Sequence, residues 1–70
     1  MNNQLQELDI KILGLKMKAH NVSERATRIW MSRGGKSDEY RKAHARQREV
    51  RRRLAEAQQD YYNLVTSLYN

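Results

Sequence analysis

The sequence predicts an all-α fold: an antiparallel two-helix coiled-coil hairpin, expected to dimerise into a four-helix bundle. Three observations carry this expectation. Apolar residues repeat at heptad spacing through the first half of the chain, they repeat again through the second half, and one glycine pair separates the two stripes.

Helix one is predicted over residues 3–32. Its stripe runs Leu5, Leu8, Ile12, Leu15, Ala19, Val22, Ala26, Ile29, alternating steps of three and four without a fault. Asn3, with Gln6 three residues on, reads as its cap. Gly14 costs about 1 kcal/mol against alanine. Asn21-Val22-Ser23-Glu24 resembles a capping box, which raises the question of a break near His20. The heptad keeps its phase through both places, so one continuous helix is expected.

The turn is predicted over residues 33–36. Gly34 can take the left-handed conformation that closes a helix. Helix two is predicted over residues 37–68, with Ser37 as cap and Asp38 and Glu39 favourably placed against the helix dipole. Its stripe runs Tyr40, Ala43, Gln47, Val50, Leu54, Ala57, Tyr61, Leu64, Leu68, with Gln47 the polar member. If the chain folds back between Gly34 and Gly35, each helix-one stripe residue meets a helix-two stripe residue. Ala26 then faces Ala43, Val22 faces Gln47 and Leu15 faces Leu54.

One seam between two helices buries little for a 70-residue chain. A second apolar set, Ile10, Leu13 and Met17 with Tyr62, Val65 and Tyr69, gathers toward the open end of the rod. It is expected to be an oligomer interface, most simply that of a homodimer.

Charge is concentrated at the other end. Of the net +6, residues 25–53 hold eleven basic side chains against three acidic ones, while residues 1–24 are balanced. Arg41, Lys42, Arg46, Arg48, Arg51, Arg52 and Arg53 cover helix two on all sides of its seam, and Arg25, Arg28 and Arg33 extend the patch from helix one. Internal pairs such as Glu49 with Arg53 and Asp38 with Lys42 have favourable spacing. Three acids do not neutralise eleven bases, so a polyanion or an acidic surface is the expected partner.

No catalytic residue stands out, and an enzyme is not expected. His20 and His44 lie on flanking positions of different helices and read as surface residues. There is no cysteine, hence no thiolate ligand, disulfide or thiol nucleophile. Gly34-Gly35-Lys36-Ser37 has the tail of a phosphate loop without its upstream glycine and strand. No metal, cofactor or small-molecule substrate is expected. Glu7 and Asp9 argue against a signal peptide or membrane span near the start, and a cytoplasmic location is expected.

Two functional classes follow. The first is a nucleic-acid-binding module that grips RNA or DNA backbone with the basic residues named above. Trp30 could stack on an unpaired base, or with Met31 could cap the hairpin tip or anchor a partner. The second is a protein-binding adaptor or inhibitor whose basic tip docks on an acidic surface of a nucleic-acid enzyme, a role that would suit a phage or mobile-element accessory protein. The plan resembles that of the Rop family, small helical hairpins that dimerise into a four-helix bundle and bind RNA. Architecture and small-residue layers such as Ala26 with Ala43 carry that resemblance, and no sequence motif does. Residues 41–68 also resemble a basic region leading into a zipper, with Leu54, Tyr61 and Leu68 seven apart. The asparagine and paired alanines of that family's basic region are missing.

Overall fold

The computed structural model describes residues 3–69. It is a hairpin of two helices, α1 (Asn3–Arg33) and α2 (Asp38–Tyr69), packed side by side into a rod 51 Å long. That length matches 31 and 32 residues at about 1.5 Å each. No described helix is long and apolar enough to cross a membrane.

The seam follows the two stripes. Ile12, Val22, Ala26, Val50 and Ala57 are buried, and the other stripe residues are half-buried, save Leu68. Leu68 is 51% exposed; the symmetric fold-back sets it opposite residue 1, outside the described residues. Two of the five buried residues are alanines, so the core is thin.

α1 runs without interruption past Gly14 and His20. Asn21 lies inside the helix and caps no new one, and Ser23 turns to the other helix. Its hydroxyl accepts a hydrogen bond from Gln47 Nε2 at 2.8 Å, and its carbonyl accepts one from Thr27 Oγ1 at 3.0 Å. The symmetric fold-back sets Gln47 against Val22, which offers the amide no partner. Turning to the neighbouring serine satisfies a half-buried polar group that would otherwise cost free energy.

The turn is built from hydrogen bonds. Gly34, at φ 85°, donates its N–H to the Trp30 carbonyl at 2.9 Å and closes α1 one residue later than expected, at Arg33. Ser37 then caps α2. Its hydroxyl accepts the Tyr40 N–H at 3.2 Å and donates to the Gly34 carbonyl at 3.1 Å, while its carbonyl receives the Arg41 N–H at 3.1 Å. Arg33, in the last turn of α1, pairs with Glu39 in the first turn of α2. Each charge thus faces the helix end its sign favours. At the far end α2 runs to Tyr69, and Asn3, expected as a cap, is itself helical.

Candidate nucleic-acid interface

Heptad geometry gives the hairpin two flanks. In an antiparallel pair, flanking positions of one type face positions of the same type on the partner helix. One flank therefore brings Lys18 and Arg25 of α1 beside Glu39 and Arg46 of α2. An open groove of about 480 Å³ lies there, lined by Lys18, Arg25, Lys42 and Arg46 over a floor of Val22, Ile29 and Ala43. Asn21 and Glu39 complete its wall.

The charge balance of this groove is one-sided. Glu39 is already paired with Arg33 across the turn. None of Lys18, Arg25, Lys42 and Arg46 has an ion pair among the described residues. Four cations thus converge on a concave surface whose one acid is committed elsewhere.

The opposite flank is aromatic. Thr27 and Trp30 of α1 with Tyr40, His44, Gln47 and Arg51 of α2 line a notch of about 350 Å³. The Tyr40 and His44 rings lie 5.8 Å apart at a tilt of 31°. Trp30 leans on the turn: a Cβ at Gly35 would lie 2.9 Å from its Nε1 and 3.0 Å from its Cδ1. Only glycine leaves room for the indole there. Trp30 thus sets one edge against the turn and stays 55% exposed, while Met31 points into solvent at 76% exposure.

The basic residues named from the sequence do not form one uniform patch. Arg25, Lys42 and Arg46 meet in the groove, and Arg51 lies in the notch on the other flank. Arg48 and Arg52 share the outer side of α2 with Glu49. Arg28 and Arg41 are exposed. Arg33, Arg52 and Arg53 are tied up in ion pairs. Arg52 holds Glu49 through Nη2 at 2.6 Å and Nε at 3.1 Å and also pairs with Glu56, while Arg53 Nε reaches Glu49 at 3.2 Å. The Arg52 hydrogen bond, helped by its charge and by Arg53, holds the Glu49 carboxyl below the usual carboxylate range. Asp38 and Lys42, spaced for a similar pair, do not form one.

Lys18 is the groove residue that charge counting passes over, since it belongs to the electrically balanced part of the chain. Its signal lies in the heptad: Lys18, Arg25, Arg46 and Arg53 occupy equivalent flanking positions. In the open half of the rod Ile10, Leu13, Tyr62 and Tyr69 are exposed, as is Met17 near its middle, from 61% for Leu13 to 87% for Tyr69. Val65 is half-buried. Comparison with known proteins finds no match to a family model, a curated sequence or a solved structure.

Proposed function

We propose that this chain binds nucleic acid, gripping the phosphate backbone at the hairpin tip. The observation that carries the reading is the groove in which Lys18, Arg25, Lys42 and Arg46 converge unpaired while its acid, Glu39, is held by Arg33. Unneutralised cations on a concave surface concentrate a polyanion and release its counterions, so affinity falls steeply with salt.

The test compares two charge variants by fluorescence anisotropy with labelled RNA and DNA across a salt series. The triple variant Arg25→Ala, Lys42→Ala, Arg46→Ala is expected to weaken binding to every sequence. It is also expected to flatten the log–log salt slope by roughly 0.9 for each duplex phosphate no longer neutralised. The double variant Arg52→Ala, Arg53→Ala removes cations already neutralised by Glu49 and Glu56 and is expected to change the slope far less. Equal effects from the two variants would sink this assignment of the groove.

The working form we propose is a homodimer. Exposed Ile10, Leu13, Met17, Tyr62 and Tyr69 give the open half more apolar surface than a lone hairpin of this size needs, and the thin core argues for further burial. A second reading, an adaptor that docks its tip on an acidic protein surface, is favoured by Met31, a large apolar side chain left in solvent at the tip. There Trp30→Ala and Met31→Ala would abolish partner capture, as loss of interface anchors does.

A further inference from the structure

We infer that the aromatic notch on the flank opposite the basic groove receives one unpaired base, which makes single-stranded nucleic acid the ligand class. The inference rests on the polyanion reading above and adds to it a site and a preference.

Aromatic rings stand on both walls of the notch: Trp30 on α1, and Tyr40 and His44 on α2. Its volume of about 350 Å³ is at the small end of the range for ligand sites, roughly 300–1,000 Å³. Trp30 is poised for stacking. Its Nε1–Cδ1 edge is set against Gly35, which restricts the ring, yet the side chain remains 55% exposed. A ring already positioned in the free protein loses little entropy on stacking.

The rim supplies the phosphate contacts. Arg41, His44, Arg48 and Arg51 follow one another at steps of three, four and three residues, so they form a line along α2, with His44 and Arg51 in the notch and Arg41 and Arg48 one step outside it. That line is about 15 Å long at 1.5 Å per residue. Arg41, Arg48 and Arg51 have no ion pair among the described residues. Gln47, on the inner wall, has one of its two amide N–H donors committed to Ser23, and its carbonyl oxygen serves as an acceptor for a base edge.

These features together select the ligand. A peptide of acidic residues alone would use the cations and leave the rings idle. Duplex would use the cations too, but its bases are stacked on one another and present no open face. A single strand satisfies both, with phosphates along the arginine line and one base between the rings.

Trp30 is the chain's one tryptophan, so its emission reports the notch. The probes are short single-stranded oligouridylate, an RNA duplex of equal length, and inorganic polyphosphate, a polyanion without bases. Oligouridylate is expected to quench Trp30 emission, while polyphosphate binds without quenching. Trp30→Ala is expected to lose on the order of tenfold to a hundredfold in single-strand affinity at unchanged duplex affinity. Gly35→Ala, whose Cβ displaces the indole, should weaken the quench in a chain whose helix content is unaltered by circular dichroism. Polyphosphate quenching as strongly as oligouridylate, or Trp30→Ala binding both RNAs like the parent, would overturn the notch while leaving the groove reading intact. Failure of every probe to bind would overturn both.

Discussion

At the scale of single residues, the three glycines do three different things. Gly34 supplies a positive φ that ends α1, and Gly35 makes room for the Trp30 indole. Gly14 does neither. It lies mid-helix, exposed, with nothing within 4 Å of where a Cβ would be. Alanine there adds helix propensity and restricts the unfolded chain without a clash. Gly14→Ala is therefore expected to stabilise the protein by about 1 kcal/mol, seen as a higher melting temperature at the same protein concentration. A lowered melting temperature would mean that the glycine serves a contact that the hairpin alone does not contain.

Between elements, the Ser23–Gln47 hydrogen bond is the polar pin in an otherwise apolar seam. Polar pairs of this kind set register at some cost in stability, because the same space could hold hydrocarbon. Removing one partner leaves a half-buried amide without its acceptor, so Ser23→Ala should cost about 1 kcal/mol. Replacing both, as Ser23→Ala with Gln47→Leu, should recover that loss or exceed it. Denaturant midpoints of parent, single and double variants measure the difference. A Ser23→Ala midpoint equal to the parent's would show that Gln47 finds water instead. The Arg33–Glu39 pair ties the same two helices at the turn, but both side chains are more than half exposed, and such pairs contribute about 0–1 kcal/mol.

For the whole molecule, the rod is divided by chemistry. The turn half carries unpaired cations on both flanks together with Trp30 and Met31, and the open half carries most of the other exposed apolar side chains. Under the dimer proposed above, sedimentation equilibrium at micromolar concentration should give twice the mass of the 70-residue chain. Leu13→Lys with Met17→Lys should return the protein to one chain mass and lower its melting temperature, because these side chains lie outside the hairpin seam. A parent that stays at one chain mass up to millimolar concentration would contradict the dimer. Linking two hairpins also raises phosphate affinity by multivalency where both tips reach one strand. The monomeric variant should therefore lose more affinity for a long RNA than for a short one.

Much of this architecture was legible in the sequence because it depends on periodicity along one chain. The 3-4 spacing of Leu5 to Ile29 and of Tyr40 to Leu64 determined the two helices and their buried sides, and Gly34 and Ser37 determined the turn to within one residue. The same spacing singled out Glu49 with Arg53, which pair, and Asp38 with Lys42, which do not. What only the tertiary structure decided lies between the helices. That Lys42 joins the flanking row of Lys18, Arg25 and Arg46, that Gln47 turns to Ser23, that Arg33 takes Glu39, and that Trp30 rests on Gly35 all depend on how two helices rotate and slide against each other. Helical periodicity specifies which residues share a face of one helix. The partner across the seam is chosen by packing, by rotamer, and by the need of each half-buried polar group for a hydrogen bond.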